Sequence, residues 1–232
     1  MKIEQRERAC LDLLARLPKR YVLVGGYAVS AFEFPRFSVD LDMVIPEKDF
    51  PLFSGILKRE GFSKTREADR FAVTYEGRFV CFRKMVESLP VSVDLLVGMV
   101  QSRQTSAAYS FDYVWKNSEV RMVTGFGVNA SAEARVADRE MLMALKINSM
   151  RMADQRDIIA LCSGDVNAGK VAGHLKRAPG EKIREHIGRL LSFLENPGSR
   201  DSLKGVFVLS DSVLEDILKR ARETLKEIER KL

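Results

Sequence analysis

Residues 22–46 read VLVGGYAVSAFEFPRFSVDLDMVIP, and the pattern within them decides the fold. Tyr21 to Val24 form a short apolar run, the pattern of a buried strand, broken by Gly25 and Gly26. The apolar residues 27–34 fit a short helix packed on a sheet, which Pro35 closes. Residues 38–45 (SVDLDMVI) then alternate with a period of two, so Val39, Leu41, Met43 and Ile45 face one way and Asp40, Asp42 and Val44 the other. Side chains two apart on a strand project from one face about 6–7 Å apart, which lets Asp40 and Asp42 share divalent cations. Magnesium suits such a pair because it takes hard oxygen ligands and keeps several waters, with manganese as the alternative. An EF-hand does not fit, since the residues after Asp42 are apolar and lack the required glycine.

A third carboxylate interrupts the apolar run Val91-Ser92-Val93-Asp94-Leu95-Leu96. A charge on a buried strand needs a partner or a metal. If the Asp94 strand lies beside the Asp40/Asp42 strand, three carboxylates converge, enough for two ions about 3.5–4 Å apart in an in-line phosphoryl transfer. Asp94 is also placed to accept the proton of an attacking hydroxyl. At Gly25-Gly26 the absent side chains let backbone N–H groups approach a phosphate. Arg36 and Ser38, just ahead of the acidic pair, add phosphate or sugar contacts, with Arg36 offering a fork-shaped cation.

Outward from this stretch, residues 3–17 carry apolar side chains at helical spacing until Pro18. A helix is expected from Pro46-Glu47 to about Glu60, stopped by Gly61, with strands near 70–75, 78–84, 91–97 and 119–124. Glu76-Gly77 reads as a hairpin turn and residues 125–127 (GFG) as another turn. From about Ala132 helical patterns dominate, with breaks near Ser163-Gly164, Pro179-Gly180, Asn196-Pro197-Gly198 and Ser210-Asp211, the last an N-cap. The expected fold is α/β (α+β): a core over residues 1–130 with a mixed β-sheet flanked by helices, then a helical C-terminal domain over 131–232. The active site is expected between them.

Among the 232 residues a formal charge of +6 and a pI near 9.3 suit an anionic partner such as a nucleotide or RNA. The terminal segment LEDILKRARETLKEIERKL is dense in charge, a composition also seen in heat-adapted proteins. No apolar run has membrane-spanning length, and the first seventeen residues mix charges into the apolar stretch that a signal peptide would keep uninterrupted. No membrane contact and a cytoplasmic location are expected. Cys10, Cys81 and Cys162 form no CxxC pair and read as reduced thiols. His174 and His186, in a Lys/Arg-rich stretch, read as surface residues, so any metal is expected on oxygen.

The glycine pair, short helix and Asp-x-Asp strand resemble the signature of the DNA polymerase β-like nucleotidyltransferase superfamily. The thirteen residues between Gly26 and Asp40, and the Arg-x-Ser-x-Asp-x-Asp series filled by Arg36, Ser38, Asp40 and Asp42, are similar to the AbiEii/AbiGii-type branch, the toxins of certain toxin–antitoxin systems. That branch carries a Lys-x4-Lys/Arg motif on a helix and a later Asp, matched by Lys146, Arg151 and Asp157, so the resemblance spans residues 21–161. Gly26 replaces the serine of the commoner Gly-Ser form.

The resemblance implies a metal-dependent nucleotidyltransferase that moves a nucleoside monophosphate from a nucleoside triphosphate to a hydroxyl and releases pyrophosphate. The acceptor stays open among a tRNA 3′ end, a protein hydroxyl and a small molecule such as an aminoglycoside, and an antitoxin protein is the implied partner. Asp40, Asp42 and Asp94 become metal ligands and, with Lys146, catalytic residues. Gly25, Gly26, Arg36, Ser38, Lys146, Arg151 and Asp157 become nucleotide-binding. On an unbroken helix Lys146 and Arg151 differ by about 140° in direction and Asp157 lies about 16 Å from Lys146, but Asp154 followed three residues later by Asp157 resembles a helix N-terminus, so a break near 153–154 would fold Asp157 back, and a capping carboxylate is the other reading of Asp157. Two other readings are a nucleotide- or RNA-binding module without turnover, and a partner-binding role for the helix at about 211–232.

Overall fold

Helix α1 (Lys2–Arg16) buries Cys10, Leu11, Leu13 and Leu14 on its inner face. On the same helix Glu7 is fully buried, and its two carboxylate oxygens accept hydrogen bonds from the backbone N–H groups of Phe126 and Gly127, both at 2.8 Å. A buried carboxylate is tolerated because it is satisfied by these donors, and the bonds fasten the 125–127 turn to α1. The structure is a computed structural model that describes residues 2–32, 34–38, 40–68 and 77–232.

The following elements are β1 (Val22–Val24), α2 (Gly25–Val29), β2 (Asp40–Ile45), a 3-10 turn (Glu47–Asp49), α3 (Phe50–Arg59), β3 (Ser63–Ala68), β4 (Arg78–Val86) and β5 (Leu89–Val97). Then come β6 (Met99–Gln101), β7 (Ala108–Ser110), α4 (Phe111–Lys116), β8 (Ser118–Thr124) and β9 (Ser131–Ala137). Seven strands form one mixed sheet in the order β3-β4-β5-β2-β1-β9-β8, while β6 and β7 pair separately. In the sheet β2–β5 and β1–β9 run parallel and the other neighbours antiparallel. One face is dry: Leu41, Met43 and Ile45 on β2 and Val91, Val93 and Leu95 on β5 are fully buried. On α3 the ring of Phe53 meets Tyr21 edge-on, with centroids 6.3 Å apart. The fold is thus α/β (α+β), a mixed sheet flanked by helices and followed by a helical segment.

Several expectations are corrected. The helical character expected from Ala132 begins at Arg139, because Ala132, Ala134 and Val136 alternate inward along β9 and Leu23 of β1 pairs with Val136. The strand Ser63–Ala68 (SKTREA) escapes a hydrophobicity reading because it is a charged edge strand. The expected strand at 70–75 lies outside the described residues, as do Glu76 of the expected hairpin turn, Glu33 and Val39. The first short helix starts at Gly25 and ends at Val29, earlier than the expected 27–34.

The chain divides into two compact units, residues 1–101 with 108–138, and residues 102–107 with 139–232. The second is helical: α5 (Arg139–Ser149), α6 (Met152–Leu161), α7 (Ala168–Leu175), α8 (Gly180–Glu195), α9 (Pro197–Phe207) and α10 (Asp211–Lys231). Ser210, the expected N-cap, accepts from Val213 N–H at 3.5 Å, and at the expected break 196–198 Asn196 caps α9 by accepting from Gly198 N–H at 2.9 Å. Leu214, Ile217, Leu218, Ala221, Leu225 and Ile228 of α10 form one buried stripe. His174 and His186, expected at the surface, are buried, because α7 and α8 place them on the faces of Val171, Leu175, Ile183 and Ile187. The Nδ1 of His186 bonds the Ile147 carbonyl at 2.7 Å. Among the described residues no helix is long and apolar enough to cross a membrane.

Candidate active site

The carboxylates gather where β1, β2 and β5 lie side by side. Val24, Asp42 and Asp94 are register partners across the three strands, and Asp40 pairs with Ser92. Paired residues project from the same face, so the three aspartates share the face opposite Leu41 and Met43. The Ser92 hydroxyl donates to Asp40 Oδ1 at 2.5 Å, which orients the exposed carboxylate. Asp94 is half-buried, and its Oδ1 is buried with no hydrogen-bond partner. Burial raises the Asp94 carboxyl above its ordinary value, a Cys81 hydrogen bond works against this, the Asp40 charge adds to it, and Arg83 and Arg66 oppose it.

Gly25 and Gly26 close one side of this group. Gly25 holds a φ of +71°, and a Cβ there would stand 2.0 Å from Asp42 Oδ2. A Cβ on Gly26 would stand 2.7 Å from Ser38 Oγ and 3.0 Å from Arg36 Nη2. Only glycine therefore allows the Asp42 carboxylate, the Arg36 guanidinium and the Ser38 hydroxyl to crowd against the backbone at the end of β1. The backbone of 36–38 is drawn to α2 by side chains. The Ser30 hydroxyl donates to the Arg36 carbonyl at 3.1 Å and accepts from Arg36 N–H at 3.3 Å, while the Tyr27 hydroxyl donates to the Ser38 carbonyl at 2.7 Å. Burial pushes up both the Tyr27 phenol and the neighbouring Cys10 thiol, the latter to about 12, so both stay neutral.

The structure thus brings together Gly25, Gly26, Arg36, Ser38, Asp40, Asp42 and Asp94. Reading the sequence does not single out Ser30, Tyr27 and Ser92, which position them. For Ser92 a signal existed, since it stands two residues before Asp94 and shares its face. Ser30 and Tyr27 lie in an apolar run whose fold-back is not local information.

Among the described residues no three His, Cys, Asp or Glu side chains are grouped so that together they could hold a metal ion. The fit to a divalent cation rests on the partnerless Asp94 oxygen in register with Asp42, beside a backbone cradle that a Cβ would fill. Remaining ligand positions would fall to water and phosphate oxygens, the arrangement magnesium prefers.

The other three predicted residues form a cluster of their own in the second unit. The break between α5 and α6 falls at 150–151, with Met150 at a φ of 49°, three residues before the expected place. It folds Asp157 back onto Lys146, whose Nζ lies 2.7 Å from Asp157 Oδ2 and 3.2 Å from Asp154 Oδ1, all three side chains being buried. Arg151, 69% exposed, reaches Asp154 Oδ2 at 2.9 Å, and its backbone N–H donates to the same oxygen at 3.1 Å.

The sequence matches no protein-family model and no curated protein. Solved structures similar to the chain include two from Helicobacter pylori. One is JHP933, at 17% identity and a TM-score of 0.47, covering 98% of this chain and 92% of that chain. The other is a "putative nucleotidyltransferase", at 17% identity and a TM-score of 0.45, covering 98% of this chain and 95% of that chain.

Proposed function

We propose that the chain is a metal-dependent nucleotidyltransferase whose first unit carries a nucleotidyltransferase core. The observation that carries the reading is the register of Asp42 with Asp94 on adjacent parallel strands, with Asp40 on the same face and Gly25 packed against the Asp42 carboxylate. Asp40, Asp42 and Asp94 would hold magnesium or manganese, which when bound offsets phosphate charge and aligns the triphosphate. Gly25 and Gly26 offer backbone N–H groups to the phosphates, and Arg36 and Ser38 supply a cation and a hydroxyl beside them. The acceptor oxygen bonds the α-phosphorus as the bond to the β-phosphate oxygen breaks, and pyrophosphate departs with that electron pair. Asp94, where it does not complete the metal site, takes the acceptor's proton. The family resemblance also assigns Lys146, Arg151 and Asp157 to the nucleotide; of these Arg151 is exposed, while Lys146 and Asp157 are buried against each other. The same resemblance supports a toxin role opposed by an antitoxin protein. The acceptor stands among RNA, protein and small hydroxylated molecules.

The test is transfer from a nucleoside triphosphate labelled at the α-phosphate, in magnesium, to an extract of RNA and protein. Asp40→Asn with Asp42→Asn is expected to lower transfer to background while the melting temperature stays within a few degrees of wild type. Unchanged transfer in that variant would remove the assignment.

A further inference from the structure

Away from the glycines, the carboxylate face continues across β5, β4 and β3, and its register has a repeating order. In one row Asp40 on β2 pairs with Ser92 on β5, which pairs with Arg83 on β4. In the next row Asp94 on β5 pairs with Cys81 on β4, which pairs with Arg66 on β3. Each row reads carboxylate, small neutral side chain, arginine. Strands lie about 4.8 Å apart, so each arginine stands two strands, about 10 Å, from its carboxylate. Ser92 and Cys81 are short and neutral; Ser92 is half-buried, and Cys81 is buried with its Sγ 3.5 Å from the Thr65 hydroxyl, at the bulge beside Arg66. Both arginines are exposed.

An acceptor hydroxyl must approach three carboxylates, and an acceptor that carries a phosphate is repelled by them unless cations compensate. The glycines, Arg36 and Ser38 lie on the β1 side and serve the triphosphate in the reading above. The β3–β4 side is the opposite flank, and guanidinium groups there offer paired donors that match a phosphate. We propose that Arg66 and Arg83 form an acceptor subsite that holds a phosphate group adjacent to the attacking hydroxyl. The subsite rests on the nucleotidyl-transfer reading and narrows its acceptor to phosphorylated molecules. Two sources share that chemistry, the 3′ end of a polynucleotide and a free nucleoside monophosphate.

The experiment supplies labelled triphosphate and magnesium with four acceptors in parallel: an oligoribonucleotide with a 3′-hydroxyl, a nucleoside 5′-monophosphate, an aminoglycoside, and a protein extract freed of nucleic acid. Label is expected on a phosphorylated acceptor, and which of the two takes it identifies the source. Arg66→Gln with Arg83→Gln is expected to raise the acceptor KM at least tenfold, with kcat and the calorimetric Kd for triphosphate each within twofold. Arg66→Lys with Arg83→Lys, which keeps the charge, is expected to restore most of the loss. For the oligoribonucleotide, the slope of log affinity against log salt is expected to fall by about 0.7, the value for one lost single-strand phosphate contact. An acceptor KM within twofold of wild type in the glutamine variant, or label only on protein or aminoglycoside, overturns the subsite while leaving nucleotidyl transfer standing. If no acceptor is labelled, the transfer reading falls. Equilibrium binding of the oligoribonucleotide and the monophosphate then decides the subsite: tenfold weaker binding in the glutamine variant sustains it, and equal binding overturns it.

Discussion

Gly25 has two constraints on it at once. Its φ of +71° disfavours any L side chain, and a Cβ would stand 2.0 Å from Asp42 Oδ2. The strain of Gly25→Ala is about 1–2 kcal/mol. The larger effect is on the site, because the Asp42 carboxylate has to swing away to admit the methyl. Displacing a reactive group by about 1 Å lowers rates about 100-fold, so pyrophosphate release by Gly25→Ala is expected to drop by that order. Gly26→Ala meets the terminal atoms of Ser38 and Arg36, which can rotate aside, and is expected to cost less than tenfold in rate. Equal losses in the two variants, followed by steady-state kinetics, would show that Gly25 has no special relation to Asp42. Asp40 and Asp42 were legible from the sequence because two residues on one strand share a face whatever the strand pairs with. The Ser92–Asp40 bond was not, since it joins residues fifty-two positions apart.

Between α5 and α6 the element of interest is the helix break that closes Lys146 onto Asp154 and Asp157. Two carboxylates and one ammonium are buried together there, and removing the cation leaves an excess of negative charge at a buried place. Lys146→Met is therefore expected to destabilise the helical unit by about 3–5 kcal/mol, read as a shift in the urea midpoint. A wild-type midpoint in that variant would show that the cluster is solvated. Burial opposes ionisation of Asp154, but the charges of Lys146 and Arg151 and the Arg151 hydrogen bond outweigh it and hold the carboxyl below its ordinary 3.8. A carboxyl lowered on folding stabilises the native state in full above 3.8, and that contribution drains away as pH falls below 3.8 toward the folded value. Urea titrations between pH 5 and pH 2 are expected to show a steeper loss of stability in wild type than in Asp154→Asn. Parallel curves would assign the acid sensitivity elsewhere. The family motif holds both Lys146 and Asp157 and a break near 153–154 is expected from Asp154, but their contact comes from a turn at 150–151 that no glycine or proline announces.

Over the whole molecule the sheet order sets what the candidate site can be. β9 enters between β1 and β8 and pairs in parallel with β1, so Val136 sits at full burial beside Leu23. Val136→Asp would bury an unpaired carboxylate under the strand that presents Gly25, and an isolated charge in such a place costs several kcal/mol. Loss of cooperative thermal unfolding together with loss of triphosphate binding is the expected result, measured by circular dichroism and calorimetry. A variant that keeps both would place β9 outside the sheet. The sequence by itself determined what is local: the pleat that aims Asp40 and Asp42 together, the glycine break after β1, the break at Asn196-Pro197-Gly198 and the cap Ser210 that starts the last helix. These follow from backbone geometry over a few residues. Only the tertiary structure decided that β5 lies parallel to β2 with Asp94 opposite Asp42, that Ser63–Ala68 and Ser131–Ala137 join the sheet, that Ser30 and Tyr27 draw residues 36–38 against Gly26, and that both histidines are buried. Pairings of this kind close loops tens of residues long, and their choice depends on which faces find apolar cover across the molecule, information that no window of the chain contains.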